Sequence, residues 1–173
     1  DAEPLNGSIL HRGMAPKARL AHANYFDVEG YLNTPSNLYE FFESAHDEGA
    51  RIHTNSWGDD NFTSYTTWCR DIDRFSRDFE DDLILFAVTN TSTLKSPENA
   101  KKLLAVGATQ QAPSQQNIGS GGTGPTADGR RKPEIFLPGV GIVSAGTGSC
   151  SVFSNAGTSM ACPAVAGCAA LVR

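Results

Sequence analysis

Near the end of the 173-residue chain, Gly157-Thr-Ser159 leads into an apolar run, Met160-Ala-Cys-Pro-Ala-Val-Ala-Gly167. Gly157 permits a tight turn, Thr158 is placed to cap a helix, and Ser159 then projects beside the unpaired N–H groups of the first turn. Such donors suit a developing oxyanion, so the pattern fits a serine nucleophile for acyl transfer. Pro163 cannot donate to the carbonyl one turn earlier, and Ala161, Ala164, Ala166 and Gly167 allow a neighbouring element to pack closely. An ordinary capped core helix has the same features, and the helix alone leaves both readings open.

Chain order separates the serine hydrolase types. An α/β-hydrolase elbow requires G-x-S-x-G with its acid and histidine later in the chain. Here Ala161 fills the last glycine position, and no His, Asp or Glu follows Ser159. A serine this late fits the order Asp, His, Ser.

The segment Gly157 to Gly167 resembles the nucleophile signature of the subtilases, G-T-S-M-A-[ST]-P-x-V-A-G, and departs from it only at Cys162. Three further segments agree in order: Gly13-Met-Ala-Pro16, Asn55-Ser-Trp-Gly58, and Gly124 to Gly139, which is similar to G-P-x-x-D-G-x-x-K-P-D-[IV]-x-A-P-G. Together they span nearly the whole chain and look most similar to the oxidatively stable alkaline-protease branch.

The resemblance implies a serine endopeptidase with Ser159 as nucleophile. It places Asn90 in the oxyanion hole, since Ala87-Val-Thr-Asn90 stands where subtilases carry A-A-G-N; asparagine after a strand is otherwise a common turn residue. A side-chain donor in that role is worth roughly 3 to 4 kcal/mol of barrier. Ser56, Trp57 and Gly58 correspond to the family's substrate-binding strand, which pairs with an extended peptide. Trp57 also reads as a buried aromatic at a strand end. Ala87 and Thr89 are assigned to substrate binding as well. Thr89 replaces a glycine that lines the S1 pocket in the family, so a β-branched residue there is expected to narrow the pocket or shift the Asn90 backbone.

Neither D-[ST]-G nor H-G-T-x-V-A-G occurs in the sequence. His11, His22, His46 and His53 are expected in a loop, a strand, a helix and a strand, in structural or solvated roles. Without a base the serine hydroxyl is a weak nucleophile. The expectation is therefore a partial subtilisin-like peptidase domain over residues 1–173, the Asp and His motifs lying before Asp1 and the chain inactive alone. Its partners would be a peptide or protein substrate and the N-terminal part of the catalytic domain. The alternative is a non-catalytic, peptide-binding pseudoprotease. The resemblance also implies an extracellular location. Calcium is the one cofactor the resemblance allows, since subtilases usually bind it, although no EF-hand-like run is present and Asp59-Asp60 and Glu80-Asp-Asp82 read as solvated acids.

Composition fits this reading. With 39% hydrophobic and 19% charged residues the chain reads as one globular domain. A net charge of -5 disfavours nucleic acid as a partner. No apolar run approaches the roughly 18 residues of a spanning helix, so no membrane role is expected. The four cysteines, Cys69, Cys150, Cys162 and Cys168, lack CxxC spacing, which argues against zinc or a thioredoxin-like pair. They read as small packing residues, or else Cys150 bridges to another element.

The positioning elements follow from periodicity. Residues 1–16, with Pro4, Gly7, Gly13 and Pro16, read as a loop, and Ala18 to Asn24 as a short strand. Ser36 is placed to cap a helix carrying Leu38, Phe41, Phe42 and Ala45, which Gly49 ends. Arg51 to Ser56 reads as a strand, and Tyr65 to Phe79 as a helix with Trp68, Ile72, Phe75 and Phe79 on one face. Leu83 to Val88 is an uninterrupted apolar run, the pattern of a central parallel strand, and Leu103 to Gly107 repeats it. Gln110 to Gly129 reads as a long surface loop with a turn at Asp128-Gly129, before apolar structure resumes at Ile135-Phe-Leu137. The expected fold class is α/β: a parallel sheet flanked by helices on both faces, subtilisin-like and truncated at its N-terminal side.

Overall fold

A computed structural model of the chain describes residues 12–148, apart from 26 and 32, and residues 151–173. The expectations for Pro4, Gly7, His11 and Cys150 lie outside the described residues.

In chain order the elements are α1 (Leu38–Asp47), β1 (Ile52–Asn55), α2 (Thr67–Asp78), β2 (Leu83–Ala87), β3 (Leu104–Thr109), β4 (Ile118–Ser120), β5 (Ile135–Pro138), β6 (Ile142–Ala145), β7 (Val152–Asn155) and α3 (Thr158–Val172). β1 pairs with β2, β2 with β3 and β3 with β5, all parallel. β4 runs antiparallel to β3 at Ala108 and Thr109, which also pair with β5. A strand has only two edges, so β4 follows β2 along one edge of β3 while β5 holds the other. The sheet is thus mixed but mostly parallel. β6 and β7 form a separate antiparallel hairpin.

β2 is the centre. Ile84, Phe86 and Val88 belong to a core with Leu38 and Phe42 of α1 and Cys69, Ile72 and Phe75 of α2. Leu85 and Ala87 belong to a second core with Val106, Ala108 and, from α3, Ala161, Cys162, Val165 and Ala166. Alternate residues of one strand therefore enter two cores, which is why the run reads as continuous apolar sequence. The alanine-rich face of α3 lets the helix sit close: a Cβ on Gly139 would lie 2.6 Å from the Gly157 carbonyl and 3.3 Å from the Ala161 Cβ.

Several local expectations change. Ala18 to Asn24 forms no strand, and Leu20 is exposed, because the segment has no ladder partner. The cap of α1 is Asn37, not Ser36: its Oδ1 accepts from the N–H groups of Tyr39 and Glu40 at 3.1 and 3.4 Å. α2 is shorter than its apolar face, ending at Asp78. The long polar loop contains β4. The turn at Asp128-Gly129 forms, with the Gly129 N–H donating to the Thr126 carbonyl at 2.8 Å.

Candidate active site

Parallel strands deliver their following residues to one end of the sheet, and three segments meet there. β1 ends at Asn55 and continues into Ser56-Trp57-Gly58; β2 ends at Ala87 and continues to Asn90; the first turn of α3 carries Ser159. A cleft of about 370 Å³ opens between them. Ser159, Asn90, Ser56, Trp57, Gly58, Ala87 and Thr89 all line it. Asp60 and Glu98 also line it, and among the described residues no basic side chain and no histidine does.

The start of α3 is not capped by Thr158. Gly157 is the N-cap residue, at φ 146° and ψ 171°, a region essentially restricted to glycine. With no side chain there, the capping oxygen comes from a distant residue. Asn90 Oδ1 accepts from the Thr158 N–H at 3.1 Å and from the Ser120 hydroxyl at 2.6 Å, and the Thr158 hydroxyl oxygen lies 3.2 Å from it. A backbone N–H can only donate, so the atom facing it is the amide oxygen. Nδ2 of Asn90 makes no hydrogen bond among the described residues. The Thr158 hydroxyl donates to the Val88 carbonyl at 2.6 Å, tying the helix start to the strand end.

Ser159 is half-buried, and neither its Oγ nor its N–H makes a hydrogen bond among the described residues. Its carbonyl accepts from the Ser56 hydroxyl at 3.3 Å, which joins the β1 segment to the same helix turn. Trp57 lines the cleft while packing edge-to-face on Phe86, Trp68 and Phe41 at centroid separations of 5.2, 5.7 and 6.2 Å. Trp57 is therefore a strand-end aromatic packed on its neighbours that also faces the cleft.

Thr89 and Glu98 form a contact that sequence reasoning missed. The Thr89 N–H and hydroxyl donate to Glu98 Oε1 and Oε2 at 3.0 and 3.1 Å. Burial pushes the Glu98 carboxyl above the usual carboxylate range, against the pull of these donors. Asp60, Ser120 and Glu98 lie in polar or loop sequence without periodicity, so no local signal marked them.

The described histidines lie elsewhere. His22 is exposed on a segment without ladder pairing. His46 on α1 and His53 on β1 converge on Asp82, with His46 Nδ1 3.0 Å from Oδ1 and His53 Nε2 2.8 Å from Oδ2. Asp82 precedes β2 and Ile52 pairs with Leu83, so this cluster sits at the amino ends of the strands, opposite the cleft. The expectation of solvated acids therefore fails at Asp82, whose carboxylate is fully buried with two imidazoles and the Arg51 guanidinium, its Nε 3.6 Å from Oδ1, as partners. Burial pulls the His53 imidazole below its ordinary value, partly opposed by Asp82.

Cys162, where the signature has Ser or Thr, is a buried thiol with its Sγ 3.7 Å from the Asn55 carbonyl and 3.6 Å from Thr54 Oγ1. Cys69 is likewise buried, Cys168 is half-buried, and all three are free. Among the described residues no group of three or more His, Cys, Asp or Glu is arranged to hold a metal. Among the same residues, no helix is long and apolar enough to cross a membrane.

A sequence profile of the subtilase family matches residues 2–173. The chain belongs to the subtilase family. A thermophilic serine proteinase from Bacillus sp. (strain AK1) is 31% identical over 172 residues, covering 99% of this subtilase chain and 40% of the relative. The structure of the prenylagaramide maturation protease PagA is 28% identical, with a TM-score of 0.64, over 78% of this chain and 48% of that one. The PatG macrocyclase in complex with peptide, at 23% identity, a TM-score of 0.66 and coverage of 84% and 42%, shares the fold. The subtilase chain thus spans less than half the length of each of these proteins.

Proposed function

We propose that these residues are the nucleophile half of a serine endopeptidase site. The observation that carries the reading is the orientation of Asn90: its amide oxygen is clamped to the first turn of the helix that bears Ser159, which leaves Nδ2 uncommitted in the same cleft. In this reading an extended peptide lies along Ser56 to Gly58, with a side chain directed toward Ala87 and Thr89. Ser159 Oγ attacks the scissile carbonyl carbon and gives up its proton to a base. The C–O bond forms as the carbonyl electrons move onto oxygen, where the Ser159 N–H and Asn90 Nδ2 hold the charge. Collapse breaks the C–N bond, the amine leaves with the proton, and water releases the acyl group.

The base and its orienting carboxylate are assigned to a His and an Asp outside these 173 residues. The absence of a histidine from the cleft among the described residues supports this assignment, and so does the chain order Asp, His, Ser. Fluorophosphonate labelling of Ser159, in this chain and in a form extended upstream through both motifs, tests the proposal. Labelling only in the extended form is expected. An extended form that carries both motifs, binds peptide and never labels would favour the pseudoprotease instead.

A further inference from the structure

Thr89 stands one residue before Asn90, where the sheet ladder has run out. The Val88 N–H still reaches the Val106 carbonyl of β3 at 3.0 Å. The next N–H, that of Thr89, has no strand to meet and turns to Glu98 Oε1 at 3.0 Å. The Thr89 hydroxyl takes Oε2 at 3.1 Å, and the Thr89 carbonyl accepts from the Gly122 N–H at 2.9 Å. Oε1 also accepts from the Lys95 N–H at 2.7 Å, so one carboxylate ties Thr89 to Lys95. Glu98 is 1% exposed.

Three donors converge on this side chain, which holds it as an acceptor. A carboxylate can grip one residue at two points, and here the two points fix the backbone plane and the side-chain rotamer of Thr89 together. Asn90 is then held from both directions: Ser120 and Thr158 hold its amide oxygen, and Thr89 holds its backbone. We infer that Glu98 is a positioning residue for Asn90, acting through the N–H and hydroxyl of Thr89 to set where Nδ2 points in the cleft. This rests on the proposed role of Asn90 as an oxyanion donor. It also accounts for threonine at position 89, because a glycine would offer Glu98 Oε2 no hydroxyl.

An oxyanion donor acts on the transition state, so a displaced Asn90 lowers reactivity while leaving peptide affinity nearly unchanged. The test uses the full-length protein, with labelling of Ser159 by a fluorophosphonate and binding of an uncleavable peptide followed by Trp57 fluorescence. Glu98→Ala is expected to slow labelling by about 10-fold or more, toward the ~10² to 10³-fold cost of losing the donor outright, with peptide affinity within about threefold. Glu98→Gln keeps an acceptor for both N–H groups and is expected to recover labelling to within about fivefold of the parent. Should Glu98→Ala fail to fold, Thr89→Val removes only the hydroxyl contact and is expected to slow labelling of Ser159.

Undiminished labelling in Glu98→Ala or, in its place, in Thr89→Val overturns the inference. So does an equal fall in labelling and peptide affinity, or a Glu98→Gln variant as slow as Glu98→Ala. A parent protein that binds peptide yet never labels sinks the endopeptidase reading itself, which is distinguishable from failure of Glu98 alone.

Discussion

Asn90 is expected to do two separable things, and two substitutions pull them apart. Its Oδ1 caps α3 through the Thr158 N–H, and its Nδ2 is the proposed oxyanion donor. Asn90→Ala removes both. Asn90→Asp keeps an acceptor for Thr158 and Ser120 and puts a second acceptor where the donor was. Losing a capping oxygen costs about 1 to 2 kcal/mol. The hydroxyls add little, since Thr158 retains the Val88 carbonyl at 2.6 Å. At a urea slope of roughly 2 kcal/mol/M, Asn90→Ala should lower the unfolding midpoint by about 0.5 to 1 M. Asn90→Asp should lose little and gain up to about 1 kcal/mol from a negative charge at a helix start. Labelling of Ser159 in the upstream-extended protein should fall by about 10² to 10³-fold in both variants. A parent-like midpoint for Asn90→Ala would refute the capping argument. Labelling of Asn90→Asp at the parent rate would refute the donor role, because no N–H is then left at that position.

Gly157→Ala should destabilise by about 1 to 3 kcal/mol, measured by urea unfolding, since its backbone region suits only glycine and a Cβ would meet Asn90 Oδ1 at 3.3 Å. The pH dependence of unfolding should report His53: its folded value is depressed by burial, so its contribution is present above the ordinary histidine value near 6.5 and is lost as pH falls below it. His53→Gln should flatten that limb of the curve; an unchanged limb would show that His53 does not set it. Burial raises the thiols of Cys69 and Cys162 above their ordinary value, so at pH of about 8 both should resist iodoacetamide until urea unfolds the chain, as read by mass spectrometry. Modification of either in the folded protein would mean that its packing is looser than described.

What was legible in the sequence is what burial writes into periodicity. The apolar run from Leu83 to Val88 announced a strand buried on both faces, and the alanines after Ser159 announced a helix lying close against it. β4, β6 and β7 were not legible, because they are short, largely polar or exposed, and held by pairing rather than by an apolar face. The signature supplied register for Asn90, which lines one cleft with Ser159. Pairings between distant residues left no such trace: Glu98 with Thr89, Ser120 with Asn90, and Asp82 with two histidines each join segments whose local sequence gives no hint of the partner. The choice of Asn37 over Ser36 as a helix cap turned on one residue of register, which propensity alone does not resolve.

The helix start and the proposed oxyanion site are linked by a single choice of capping residue. A serine, threonine or aspartate at an N-cap position places its oxygen on the N–H of the second or third helical residue. With Gly157 as the N-cap, the second helical residue is Ser159, so a conventional cap could take the N–H that the proposed mechanism requires. A glycine N-cap leaves that donor free, at the cost of an uncapped helix. Asn90 offsets the cost from outside: its oxygen takes the first N–H, that of Thr158, and the same contact fixes which way its amide nitrogen faces. Capping the helix from a strand-end asparagine therefore leaves one donor unused on the helix and a second on the asparagine. Both belong to residues that line one cleft, and neither is free to rotate away without uncapping α3.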